Sequence, residues 1–113
     1  MAIQIYHNPR CSKSRATLAL LGEQGIEPEI IEYLNDPPSE TTLKKIQKAL
    51  GCAVTDMVRK KEAPYSENGL ESASDDGLIA AIAKFPILLE RPIVINGNRA
   101  AIGRPPENVL EIL

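Results

Sequence analysis

Cys11 lies in the run His7-Asn8-Pro9-Arg10-Cys11-Ser12-Lys13-Ser14-Arg15, with a histidine and the cations Arg10, Lys13 and Arg15 within four residues of the sulfur. The thiolate rather than the thiol is the nucleophile, and positive potential favours it. If Ser12 opens a helix, its unpaired N–H groups and the positive end of the helix dipole face the sulfur, and the three cations add to that field. The run therefore predicts an activated cysteine. A lone cysteine is more often buried and inert, but polar and cationic neighbours are poor surroundings for such a thiol. Ser14, one helical turn beyond Cys11, either donates a hydrogen bond to the thiolate or only satisfies backbone groups. The other cysteine, Cys52, is too far away in sequence for a metal-ligand or small disulfide-framework spacing. Following Gly51 at the end of a helix-like stretch, it reads as packing, with a resolving thiol as the alternative.

The elements that must position Cys11 belong to a chain of 113 residues, 43% hydrophobic and 25% charged, with a formal net charge of -2. That length and composition predict one globular domain over 1–113 that needs no staple of disulfide or metal. The acidic balance argues against general nucleic-acid or anionic-membrane binding, so the cations around Cys11 are a local feature. The first residues lack a basic region followed by a long apolar core, and no apolar run reaches membrane-spanning length. A cytoplasmic protein is expected.

Residues 2–6 read as a strand, 12–24 as a helix with Ser14, Leu18 and Leu21 on one face, and 28–33 as a second strand. Strand, helix and strand in so short a span imply a parallel crossover, which sets Cys11 at the carboxyl end of the first strand, where open α/β sheets bind ligands. Asp36-Pro37-Pro38-Ser39 then starts a helix through Leu50, followed by a shorter helix over 54–59, an irregular polar stretch over 60–69, and a helix from Ser74 or Asp75 to Lys84. Residues 92–95 and 98–102 flank Asn96-Gly97 as a hairpin whose central residues would both take positive φ. Pro105-Pro106 leads into a last amphipathic helix over 107–113. The order is that of an α/β thioredoxin-like fold: a four-stranded mixed sheet flanked by helices, with a helical insertion, about 37–88, between strands 2 and 3.

Cys11 behind the first strand, the hairpin, and Pro92 opening the third strand make the chain resemble the glutaredoxin-linked arsenate reductase family over essentially its full length. The segments that carry the resemblance are Ile5-Tyr6-His7-Asn8-Pro9 with Cys11, Ser14-Arg15-Ala16-Thr17, Tyr33-Leu34 with Pro37-Pro38, Arg59-Lys60 with Pro64-Tyr65, Arg91-Pro92-Ile93-Val94, and Gly103-Arg104-Pro105. The resemblance implies that Cys11 attacks arsenate, that Arg59, Arg91 and Arg104 hold the oxyanion, with Arg15 as a further substrate-side cation, and that Pro92 is cis. Guanidinium suits the task, because it presents planar, permanently charged, multidentate donors to a tetrahedral anion. His7 then either tunes the thiolate or hydrogen-bonds to its loop. The implied cycle is attack on As(V), entry of glutathione as co-substrate, reduction to As(III), and recovery of the thiol through glutaredoxin, with no metal and no tightly bound cofactor. Ser14 in place of a second cysteine at Cys11-x-x-Ser14 agrees with an external thiol.

A phosphatase-like reductase needs Cys-x5-Arg, whereas Thr17 occupies that position and the spacing present is Cys-x3-Arg. Two other readings stay open: a thioredoxin-fold regulator that binds RNA polymerase, and a thiol oxidoreductase acting on a different oxyanion or a glutathione mixed disulfide. The regulators commonly keep a Cys-x-x-Cys switch, absent here, and the three arginines favour an oxyanion site.

Overall fold

In a computed structural model, which describes residues 2–113, the chain forms two compact units. The first runs through Asp36 and resumes over Arg91–Leu113; the second is Pro37–Glu90.

The first unit is built on a four-stranded sheet. Its strands are β1 (Gln4–Tyr6), β2 (Glu29–Ile31), β3 (Ile93–Asn96) and β4 (Arg99–Ile102), in the order β2-β1-β3-β4. β1 is parallel to β2, with Ile5 opposite Ile30, and antiparallel to β3, with Ile5 opposite Val94. β3 and β4 form an antiparallel hairpin. This is the mixed sheet of a thioredoxin-like fold. Helix α1 (Ser12–Glu23) connects β1 to β2 and buries Ser14, Thr17 and Leu21. Leu18, expected on that face, is only partly buried, and Thr17 is fully buried. Ile5, Leu21, Val94, Val109 and Ile112 form the core that fixes α1 and the terminal helix against the sheet. Each large aliphatic side chain so buried contributes about 1.5–3 kcal/mol of transfer free energy.

The hairpin turn differs from the Asn96-Gly97 expectation. Asn96 is the last residue of β3, and Gly97-Asn98 is the two-residue loop. Gly97 has φ of 64°, and among the described residues no non-glycine has positive φ, so only the first central position is left-handed, the pattern of a type II′ turn. The side chain of Asn96 instead donates to the Ile112 carbonyl at 2.7 Å, and Arg99 Nη2 donates to the same oxygen at 2.8 Å. The last helix is also tighter than expected, a 3₁₀ helix over Pro106–Ile112. Prolines at its entry remove N–H donors, and seven residues of apolar pattern do not separate a 3.0 from a 3.6 period.

The second unit is helical. Helix α2 (Glu40–Leu50) starts where Ser39 Oγ accepts the Thr42 N–H at 3.1 Å, and it buries Leu43 and Ile46. The stretch expected to be irregular contains a short helix, α3 (Ala63–Glu67), begun by Pro64 in its first turn, where a missing N–H costs nothing. Helix α4 (Asp75–Lys84) is capped by Ser74, packs on α2, and buries Leu78, Ile79 and Ile82. A 3₁₀ turn over Val54–Met57 precedes an isolated antiparallel bridge between Val58 and Leu89.

Candidate active site

The site begins where β1 ends. The His7 N–H donates to the Ile31 carbonyl at 2.9 Å, carrying the β1–β2 pairing one residue beyond the strand, and the chain then turns. Asn8 makes that turn: its Oδ1 accepts the Arg10 N–H at 3.0 Å and its carbonyl accepts the Cys11 N–H at 3.0 Å. Cys11 is the extended residue that caps α1, with φ of -91° and ψ of 122°, and its carbonyl accepts the first helical bond from Arg15. The sulfur therefore sits at the helix N-terminus, as the sequence anticipates, and only 8% of the residue is exposed.

Arg104 reaches this sulfur from the far end of the chain. Its Nη2 donates toward Cys11 Sγ at 3.5 Å, and its Nε donates to the Arg91 carbonyl at 2.7 Å. The Asn108 side chain donates to the Arg104 carbonyl at 3.0 Å, and the Arg104 N–H donates to Ile102. Such bonds hold the guanidinium beside the thiol. The Arg91–Pro92 peptide is cis, as the resemblance implies, and Arg104–Pro105 is cis as well. Arg91 lies next to this contact with Nε and Nη1 buried.

Gly103 ties the arginine strand to the cysteine helix. Its N–H donates to the Pro92 carbonyl at 2.9 Å, and a Cβ at this position would lie 2.5 Å from Thr17 Oγ1 and 2.9 Å from Pro92 Cγ. Only glycine allows α1 and the start of β3 to approach so closely one residue before Arg104. Thr17 returns its own hydroxyl to the Lys13 carbonyl at 2.8 Å. The sequence motifs mark neither Gly103 nor Thr17 as a residue of the site. Thr17 lies three residues beyond Ser14 on the same helical face, which is the one signal that could have found it.

His7 and Ser14 come together under the loop. His7 Nδ1 lies 2.6 Å from Ser14 Oγ, which also accepts the Asn8 N–H at 3.0 Å. Ser14 thus braces the turn that presents Cys11. Burial lowers the His7 pKa; Glu32 opposes this and Arg15 reinforces it. The net shift favours a neutral imidazole at neutral pH. Arg15 donates Nη1 to the Pro9 carbonyl at 3.0 Å, so its charge is fixed along the loop.

Arg59 belongs to the second unit, where its guanidinium pairs with Glu62 at 2.9 Å and Glu90 at 3.9 Å. Cys52 is in that unit too, and burial pushes its thiol up, with Asp56 acting in the same direction. Among the described residues no group of His, Cys, Asp and Glu could hold a metal ion, and no helix is long and apolar enough to cross a membrane.

Residues 6–112 match the model of the ArsC family. An arsenate reductase of Haemophilus influenzae is 51% identical, over all of this chain and all of its own length. A protein of Escherichia coli K12 called uncharacterized protein YfgD is 50% identical over 98% of this chain and 96% of its own. Among solved structures, an arsenate reductase from Vibrio cholerae superposes with a TM-score of 0.97 at 53% identity, covering 100% of this chain and 98% of that one.

Proposed function

The chain belongs to the ArsC family, and we propose that it is an arsenate reductase in which Cys11 is the nucleophile and Arg104 and Arg91 handle the oxyanion. The observation that carries this is the 3.5 Å approach of Arg104 Nη2 to Cys11 Sγ, which sets a permanent cation and multidentate donor where the attacking atom is. That donor can turn to the oxygens that gather charge as the sulfur bonds to arsenic, the role of an oxyanion stabiliser.

Attack by the Cys11 thiolate forms an S–As(V) bond, and one arsenate oxygen leaves as water. Glutathione replaces a second oxygen in the same way. The sulfurs of glutathione and glutaredoxin then join in a mixed disulfide, which gives arsenic two electrons; water releases arsenite and restores the Cys11 thiol. His7 and Ser14 hold the loop that presents the sulfur. Arg15 keeps positive charge along it. Arg59 joins Arg104 and Arg91 as an oxyanion ligand, as the family resemblance implies, and dependence on glutathione and glutaredoxin would suit the cytoplasm, where reduced thiols are maintained.

The test is the conversion of arsenate to arsenite by the purified chain supplied with glutathione and glutaredoxin. Arsenite should accumulate with repeated turnover. A folded protein that makes none contradicts the reading.

A further inference from the structure

We propose that the cleft on the β2 side of the Cys11 loop is the binding site of the peptide thiol co-substrate, with Glu32 receiving its ammonium and Arg10 a carboxylate. The inference rests on the reductase reading for the identity of its occupant.

The cleft has a volume of about 340 Å³ and is lined by residues of the loop, among them His7, Asn8 and Arg10, and by Glu32, Leu34 and Asn35 just beyond β2. That volume lies at the small end of the range of ligand sites, about 300 to 1,000 Å³, and suits a short peptide. Its lining residues are mixed in a particular way: the cation Arg10 on the loop, the acid Glu32 after β2, the polar Asn35, and an apolar Leu34 that is 38% exposed. A simple oxyanion has no use for Glu32, which would repel it. Glutathione carries an ammonium, two carboxylates and amides on a short apolar frame, and so calls for both signs of charge and an apolar contact.

Position supports the same occupant. The cleft and the sulfur share one turn, because Asn8 lines the first and its carbonyl accepts the Cys11 N–H. Arg104 and Arg91 come from the ends of β4 and β3, whereas the cleft adjoins β2, on the opposite side of β1 in the sheet. Cys11 does not itself line the cleft, so a peptide held there would extend its thiol toward the sulfur from the β2 side, away from the arginines. The Glu32 charge also reaches the loop, since it opposes the burial that lowers the His7 pKa.

The experiment compares thiols on one enzyme at a time, because Arg10 also belongs to the cations around the sulfur. With arsenate saturating, wild type should show a KM for glutathione about fivefold below that for N-acetylglutathione, which lacks the ammonium, and similarly below that for glutathione diethyl ester, which lacks both carboxylates. Glu32→Gln should erase the first preference and Arg10→Ala the second. Preferences that survive both substitutions overturn the proposal. Binding without turnover is read on Cys11→Ser protein titrated with S-methylglutathione, where amide NMR shifts should concentrate at residues 7–10 and 32–35. Shifts elsewhere, or none, overturn it. A wild type that makes no arsenite with any thiol removes the reductase reading, and the titration then still decides whether this cleft takes the peptide.

Discussion

Arg104 meets the Cys11 sulfur through a side chain braced at Nε by the Arg91 carbonyl, so its guanidinium is oriented before any anion arrives. Replacing it with alanine should lower kcat/KM for arsenate by about 100-fold, the scale seen when one preorganised donor to a developing oxyanion is removed. Steady-state kinetics on a folded variant checks this. Arg99, another arginine of the same unit, donates instead to the Ile112 carbonyl. Arg99→Ala should cost about 1 kcal/mol of stability through that bond and leave kcat/KM within about twofold. An equal loss of activity in both variants would contradict the assignment. His7 is the only histidine, so its titration can be followed without ambiguity. Burial depresses its pKa in the folded chain, hence the unfolded chain binds the proton first as pH falls below about 6.5. Stability is therefore highest above that pH and declines as pH drops toward the folded-state value, below which this contribution levels off. An imidazole NMR midpoint below that of a free histidine, moved further down in Glu32→Gln, is the expected result. At this scale the sequence showed the nucleophile, because its neighbours are adjacent in the chain. It did not show Ser14 bound to His7, since that contact depends on how the loop folds back over α1.

The elements meet most tightly at Gly103, where α1 and the β3–β4 hairpin approach each other next to Arg104. Gly103→Ala would put a methyl group 2.5 Å from Thr17 Oγ1 and 2.9 Å from Pro92 Cγ. The elements must separate, at a cost of about 1–3 kcal/mol, and Arg104 must move with them. Activity should fall along with stability. Thr17→Ala in the same chain removes the nearer obstacle, so the double variant should be less damaged than the two single effects summed; chemical denaturation of all four proteins measures that coupling. Strictly additive losses would mean that the contact is not what matters at Gly103. The parallel β1–α1–β2 unit was legible because apolar segments of opposite periodicity flank the cysteine. The hairpin was legible as a hairpin but not in register, since Asn96-Gly97 and Gly97-Asn98 are both good turn pairs. The terminal helix is legible as an amphipathic helix but not as a 3₁₀ one, because so short an apolar pattern fits either period.

At the scale of the whole molecule, residues from the two ends of the chain meet: the loop after β1 brings Cys11, and the segment after β4 brings Arg104 to its sulfur, bonded in turn to the Arg91 carbonyl ahead of β3. Mixed-sheet pairing is what joins them, because β1 lies between β2 and β3. Composition and periodicity implied the strands but not that Arg104 would end beside Cys11; the resemblance to a family supplied that expectation, and the 3.5 Å contact gives it a physical form. Arg59 pairs in the second unit with Glu62, three residues on, and with Glu90, remote in sequence; the first ion pair is legible from its spacing, the second only from the fold. The central claim is that one cysteine performs the attack. It is tested most directly by measuring arsenite formation with glutathione and glutaredoxin in wild type, Cys11→Ser and Cys52→Ser proteins of verified fold. The account predicts sustained turnover in wild type and Cys52→Ser and none in Cys11→Ser; turnover that survives loss of Cys11, or disappears with Cys52, would contradict it.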